Sequence, residues 1–493
     1  MTSKVILIAS LTERPEGEEL SALSGVADIL EVRADLVGDI EPDWLRDRFS
    51  GQLLFTLRSR AEGGSSEASS ARRYQRLAEA AHHYDLVDLE GQRDLHPELL
   101  AAVPEDRRII SWHGSPSTFP DLTGVFERLS AEGARYYKLV PGATEPRHAL
   151  SPLAVLNSLQ RNDLIAFASG AVGAWTRLIA PRLGAPLVYG SVTEMPAAAG
   201  QPSIVRLQRD FGLPDLPEVE RLNGLVGCPV AHSLSPALHN GLYRRLGLPA
   251  LYLPFHVEAF GDFWLDIVES GSLQVLGFDL RGLSVTAPHK GAALAVAGAA
   301  SPLAEIVGAA NTLTWNQGVW EAENTDPEGI MGALTSRRMT VDGLSAAVLG
   351  AGGAGRAAVF SLSHAGARVV LFNRGVERGR RMADQLKVPF TPLAELDPGR
   401  FDLLIHATAL GRDEEDELPF DPRFLHRDTV VVDLVYKESE PTRLVEEVRA
   451  HGGRAIDGRE LLLHQAVSQF RLMTGEELPL EDGREILGLK GGV

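Results

Sequence analysis

At 493 residues the chain is too long for one core, and two to four domains are expected. A hydrophobic content of 44% with 23% charged residues is that of folded soluble protein, while a formal charge of −18 argues against nucleic acid or an anionic membrane as partner. One cysteine, Cys228, excludes an internal disulfide framework and a cysteine-rich zinc site and fits a reducing cytoplasm; no metal centre is indicated.

The first residues, MTSKVILIAS, read as a strand rather than a signal peptide, and no run of about eighteen apolar residues follows. Strand-like runs recur at 5–9, 29–33, 53–58, 84–90, 108–113, 136–140, 164–169 and 186–192, with helix-compatible stretches between them such as 72–83, 123–132 and 150–160. That alternation predicts a (β/α)8 barrel over residues 1–217, with an open doubly wound sheet as the alternative. Charged side chains stand at or near strand ends: Glu31 and Arg33, then Arg58, Glu90, His113 and Lys138. In a barrel such groups converge on one pocket at the C-terminal face. A lysine among apolar neighbours, or crowded by arginine, has a depressed pKa and becomes a nucleophilic amine able to form a Schiff base with a ketone; the alternative is a solvated strand end. His113 is the natural proton shuttle, or else a satisfied core histidine.

The motifs LEVRAD, FTLRSRAEGG, VDLE, SWHG, YYKLVPGA, WTR and AAAGQP together resemble those of type I 3-dehydroquinate dehydratases, over the whole N-terminal segment. The resemblance implies that Lys138 forms an imine with the ketone of 3-dehydroquinate, that His113 moves the proton, and that Arg177 pairs with the substrate carboxylate. It further implies that Glu31, Arg33 and Arg58 line the pocket and that Gln201 lies on a closing loop, all without a cofactor. Ala197 stands where the family usually has serine, which removes one expected hydroxyl contact.

FGLPDLPEVE, at 211–220, is a linker by composition. Beyond it a strand at 225–227 leads to Ser233 and Ser235 beside a helix opened by Pro236; the hydroxyls can hold a carboxylate or simply cap the helix. GLSVTAPHKG, AANTL and ENTDPEG then supply Thr286, Lys290, Asn311 and Asp326, where lysine with aspartate is either a proton-handling pair or a surface ion pair. An apolar strand ending at Leu349 runs into GAGGAG, Gly350, Ala351, Gly352, Gly353, Ala354 and Gly355, and then a helix. This strand–turn–helix lets backbone approach a pyrophosphate. The second strand ends in Asn373 and Arg374, with Arg378 following, where an NAD site carries an acid; the arginines make room for a 2′-phosphate, hence NADP(H).

AHSLSP, VTAPHK, ANTL and NTD in this order and spacing resemble shikimate dehydrogenase, and the likeness continues to the C-terminus. It implies a two-domain α/β half with a Rossmann NADP-binding domain at 327–456, and a substrate domain at 218–326 completed by 457–493. Ser233 and Ser235 would bind the substrate carboxylate, Thr286, Asn311 and Gln465 its ring hydroxyls, and Lys290 with Asp326 would be the catalytic pair. Ser284, Pro327 and His406 depart from the usual pattern. The whole chain is then expected to be a cytoplasmic bifunctional enzyme, dehydrating 3-dehydroquinate and reducing 3-dehydroshikimate to shikimate with NADPH. The alternatives are a quinate/shikimate dehydrogenase with an impaired barrel, and a metabolite-sensing regulator.

Overall fold

The computed structural model describes residues 4–411, 416–438 and 440–489. It divides into two compact units, Met1–Leu222 with Gly247–Leu280, and Asn223–Leu246 with Arg281–Val493. No helix among the described residues is long and apolar enough to cross a membrane.

In the first unit, strands β1 (Ile6–Leu11), β2 (Ile29–Arg33), β3 (Gln52–Thr56), β4 (Leu86–Glu90), β5 (Arg108–Gly114), β6 (Tyr136–Pro141), β7 (Leu164–Ala166) and β8 (Leu187–Ser191) form one sheet in the order β7-β6-β5-β4-β3-β2-β1-β8. Every recorded pairing is parallel, and β8 returns to pair with β1, Ile8 opposite Tyr189. The sheet is thus a nearly closed barrel. The expected strands fall within a few residues of these, except that the sixfold run at 164–169 yields only the three-residue β7. Near-continuous apolar runs are what parallel strands buried on both faces require. The remainder of this unit, including β10 (Ala250–His256), follows β9 (Arg221–Gly227) and packs on the barrel's helices, with Phe255 at 5.2 Å from Trp175 and 5.3 Å from Phe263, ring centroid to ring centroid.

The second unit holds a mixed sheet and a parallel one. Its strands β9, β11 (Asp279–Val285), β12 (Ala299–Ala300), β13 (Thr312–Asn316) and β14 (Val319–Glu323) run in the order β9-β11-β13-β14-β12. The β13–β14 pair is an antiparallel hairpin. The parallel sheet comprises β15 (Ser345–Leu349), β16 (Arg368–Asn373), β17 (Phe390–Pro392), β18 (Leu403–His406), β19 (Val430–Asp433) and β20 (Arg454–Ile456), ordered β17-β16-β15-β18-β19-β20. Numbered from β15 this is the order 3-2-1-4-5-6 of a Rossmann sheet, with its reversal between β15 and β18. Alternation along β15 explains its unbroken apolar sequence: Ala346 and Val348 enter one core with Ile330 and Leu362, Ala347 and Leu349 the opposite one with Leu404 and Leu444.

Candidate active sites

Glu31, Arg33, Arg58, His113, Lys138, Arg177 and Gln201 line one cavity of about 820 Å³, whereas Glu90, also expected at that pocket, is fully buried outside its lining and accepts from Arg58 and the Ser59 N–H. Glu31, at the middle of β2, is fixed by Ser10, whose Oγ donates to it at 2.5 Å, and by Thr56, at 2.8 Å. Arg58 follows β3 and is clamped by carboxylates: its guanidinium donates to Asp88 at 2.9 Å and lies 3.3 Å from Glu90 and 3.4 Å from Glu62. Burying that much charge is tolerable only because the guanidinium and the carboxylates compensate one another.

Lys138 projects from β6. Burial, which strips water from the ammonium, pulls its pKa down to about 8, with Arg58 and Arg33 adding repulsion while Glu31 and Asp88 oppose the shift. His113 ends β5, and burial together with Arg58, Lys138, Arg33 and Arg177 drives its pKa well below the ordinary histidine value, so the ring is neutral at pH 7. Glu62 orients its ring. Its Oε2 accepts from the backbone N–H of His113 at 3.0 Å and lies 3.1 Å from Nδ1. With Nδ1 as donor, Nε2 is left with its lone pair, the form a base needs. Burial raises Glu62 to about 8, partly opposed by Arg58. Arg177 gives Nη1 to the Tyr189 carbonyl at 3.1 Å, while its buried Nε has no partner; burial lowers its pKa to about 10. A buried, incompletely bonded guanidinium is a ready receptor for a carboxylate.

The segment 197–201 is held through backbone, so the missing serine hydroxyl does not leave it loose. The Ala197 carbonyl accepts from Arg33 at 3.3 Å, its N–H donates to Gln201 Oε1 at 3.1 Å, and Gln201 Nε2 donates to Ser10 at 3.3 Å.

In the second unit Lys290 begins a helix and its Nζ donates to Asp326 Oδ2, while Asn311 Nδ2 donates to Oδ1 of the same carboxylate at 2.7 Å. The ion pair is largely buried, with side-chain exposures of 16% and 7%. Asp326 and Pro327 form the first turn of the helix Asp326–Ser336, where a proline ring lacks no needed N–H; the Pro327 departure is therefore accommodated. Asn311 also donates to Thr325 at 3.0 Å and accepts from its N–H at 2.9 Å, which makes it the orienter of Asp326. Ser284 donates to Gln469 Oε1 at 3.0 Å, and Gln469 Nε2 in turn donates to Thr312 at 3.0 Å. Ser233 Oγ accepts from the Ser235 N–H at 3.2 Å in a capping turn, whereas the hydroxyls of Ser235 and Thr286 and the Gln465 amide enter no hydrogen bond among the described residues. Gln465 lies on the helix Gly458–Thr474, against Gly329 of the Asp326 helix.

The glycine loop spans the C-terminal end of β15. Gly350 has φ 116°, and a Cβ there would meet the Ala407 carbonyl at 2.6 Å; one on Gly355 would meet the Gly350 carbonyl at 1.9 Å. Gly352 has open space around it, and a Cβ on Gly353 would meet the Lys290 side chain at 3.2 Å. A helix, Gly353–His364, starts in the loop, and the N–H groups of its first turn are the kind of donors that receive a phosphate. Asn373 Oδ1 accepts from the Ala351 N–H at 3.0 Å and Arg378 Nε donates to the Ala351 carbonyl at 2.9 Å, while Arg374 is exposed. The loop Gly350–Gly355, with Ala354, thus leaves β15 at the topological reversal, and Asn373, Arg374 and Arg378 stand at and beyond the end of the neighbouring strand β16. His406 is fully buried between Asp433 at 2.9 Å and Thr408 at 2.6 Å, a structural tie between β18 and β19.

Reading the sequence alone passed over Glu62, Ser10, Tyr189 and Gln469 as site residues. Ser10 lies next to the C-terminal end of β1, Tyr189 is in the middle of β8, and Gln469 follows Gln465 by four, on the same helix face; those positions were the available signal.

Known proteins place these sites in context. The chain matches the family model described as type I 3-dehydroquinase over residues 5–213, and that of the shikimate dehydrogenase substrate binding domain over 225–313. It is 38% identical to the NADP(+) shikimate dehydrogenase of Methanopyrus kandleri, covering 53% of this chain and 93% of that one. It is 28% identical to the chloroplastic bifunctional 3-dehydroquinate dehydratase/shikimate dehydrogenase of Arabidopsis thaliana, covering 92% of this chain and 79% of that one. Among solved structures, shikimate dehydrogenase from Aquifex aeolicus aligns with a TM-score of 0.50 at 32% identity, over 54% of this chain and 97% of that one.

Proposed function

Since the chain belongs to the shikimate dehydrogenase family and carries a type I 3-dehydroquinase ahead of that region, we propose a residue-level mechanism for each of its two activities, dehydration of 3-dehydroquinate and NADP-dependent reduction of 3-dehydroshikimate to shikimate. The observation that carries the first is the buried Lys138 amine, lowered to about 8, in one cavity with a neutral His113. Lys138 attacks the ketone and water leaves, giving an iminium; Nε2 of His113 removes the neighbouring carbon proton and then protonates the departing hydroxyl. Glu62, 3.1 Å from Nδ1, orients the imidazole. Arg177 anchors the substrate carboxylate, and Glu31, Arg33, Arg58 and Gln201 shape the pocket and its closing loop.

In the second activity the bound nucleotide supplies hydride to the carbonyl carbon. Lys290, held by Asp326, which Asn311 orients in turn, meets the developing oxyanion and stabilises or protonates it. The serine hydroxyls at 233 and 235 take the carboxylate, while Thr286 and Gln465 have side-chain groups left for ring hydroxyls. Arg374 and Arg378 take the 2′-phosphate beyond the loop from Gly350 to Gly355. We assign 1–217 to the dehydratase, 218–326 with 457–493 to shikimate binding and 327–456 to the nucleotide; the Gln469 ties to Ser284 and Thr312 support the C-terminal return. The quinate and regulator alternatives are not favoured, because the seven barrel residues given roles in the dehydration line one pocket. Small molecules are its substrates; the acidic charge disfavours nucleic acid and membrane, and the single cysteine suits the cytoplasm.

A direct test supplies 3-dehydroquinate and NADPH together, so that NADPH oxidation requires both steps. Oxidation with 3-dehydroshikimate but none with 3-dehydroquinate would remove the dehydratase assignment, and the converse failure the reductase. Borohydride trapping on Lys138, read by mass spectrometry, checks the imine.

A further inference from the structure

Four cations line the barrel cavity, and three of them donate to acceptors: Arg33 to Asp35 and Ala197, Arg58 to Asp88 and Ser111, Arg177 to the Tyr189 carbonyl. Lys138 is the exception. Among the described residues its Nζ enters no hydrogen bond and no ion pair; what it touches is the face of Tyr189, whose ring centroid lies 3.8 Å away. Tyr189 stands on β8, is 2% exposed, and its buried hydroxyl has no hydrogen-bond partner among the described residues. Among the described residues the ring face is therefore the interaction partner of the nitrogen on which imine chemistry depends.

That choice of neighbour matters because the charge on the nitrogen must come and go. When the neutral amine adds to the ketone, an N–C bond forms; with one proton taken up, the carbonyl oxygen leaves as water and nitrogen becomes a cationic iminium. Loss of the adjacent proton to a base sends the C–H electrons into a C=C bond and the iminium π electrons onto nitrogen, giving a neutral enamine. The base then returns that proton to the hydroxyl, which leaves as water as its C–O bond breaks and the nitrogen lone pair flows back to restore the iminium; hydrolysis of the iminium gives product and amine. A carboxylate in contact would hold the cation tightly and resist its neutralisation. An aromatic face attracts it more weakly, enough to favour the iminium without locking it.

We propose that Tyr189 is a catalytic residue of the dehydratase, its ring face serving in place of a carboxylate as counter-group to the Lys138 nitrogen. The proposal rests on Lys138 being the imine-forming residue.

The test uses the full chain with 3-dehydroquinate and borohydride, following the adduct on the Lys138 peptide and the dehydration rate. Tyr189→Phe removes only an unpartnered hydroxyl and is expected to trap within about threefold of the parent, whereas Tyr189→Leu, which removes the face, is expected to lose about tenfold. Should Tyr189→Leu fail to fold, progressively fluorinated phenylalanines at 189 keep the shape while draining the ring face; the dehydration rate should fall stepwise with fluorination. Rates indifferent to fluorination, or a leucine variant equal to the phenylalanine one, would overturn the role of Tyr189. A parent protein that gives no adduct on Lys138 overturns instead the Lys138 assignment beneath it.

Discussion

Lys138 shows how a single buried amine couples activity to stability. Its pKa near 8 predicts that dehydratase kcat/KM rises as pH climbs through about 8, as the ammonium becomes the nucleophile. No limb is expected near the ordinary histidine value, because His113 is lowered well below it and stays a base throughout. A pH–rate profile with its acid limb near 6.5 would contradict this. The same lowering destabilises the fold wherever Lys138 is protonated in both folded and unfolded states, that is below about pH 8. There the cost is on the order of 3 kcal/mol, and it fades as pH rises toward the unfolded-lysine value of 10.5. Lys138→Met should accordingly abolish imine formation yet raise the barrel's denaturant midpoint at pH 7, with the gain shrinking toward pH 10. In the other site, Lys290→Ala should lower kcat/KM for 3-dehydroshikimate reduction by about 10²–10⁴-fold. Equal rates in steady-state assays would refute its placement beside the carbonyl.

Among the elements, the turn from β15 into the helix Gly353–His364 makes the sharpest demand on residue type. A glycine-to-alanine change inside a helix ordinarily gains about 0.5–1 kcal/mol. At Gly355 the added Cβ would lie 1.9 Å from the Gly350 carbonyl, so overpacking of about 1–3 kcal/mol reverses the sign. Gly355→Ala should weaken NADPH binding in a fluorescence titration and lower the melting temperature of the second unit. Arg374→Ala should raise KM for NADPH about tenfold or more while leaving KM for NADH alone, since a charge-assisted contact to phosphate is at stake. The turn was legible in sequence because glycine, apolar strand and helix each follow from a local requirement. The barrel strands were legible for the related reason that burial on both faces forces long apolar runs. Glu62 was not: a glutamate beside two glycines says nothing of the imidazole it meets 51 residues on. Nor could the sequence separate Asn311 as a substrate ligand from Asn311 as the orienter of Asp326, because that depends on which partner its amide hydrogens reach.

For the molecule as a whole, the two chemistries require different residues in different units. Lys138→Ala should leave the rate with 3-dehydroshikimate and NADPH unchanged, and Lys290→Ala should leave 3-dehydroquinate dehydration unchanged; both are read on the full chain with each substrate supplied separately. Loss of both activities from either change would show the sites to be energetically coupled. The composition of the first unit was hidden from sequence, because a linker read from proline and acid content marks where the chain loses pattern, and packing continues beyond it. Trp175, 2% exposed, lies against Phe255, which belongs to the same unit although 80 residues later in the chain. During synthesis the barrel's last strand therefore leaves the ribosome before the unit's full complement of residues exists. The indole of Trp175 must wait, through the making of the linker and of β9, for the ring that covers it.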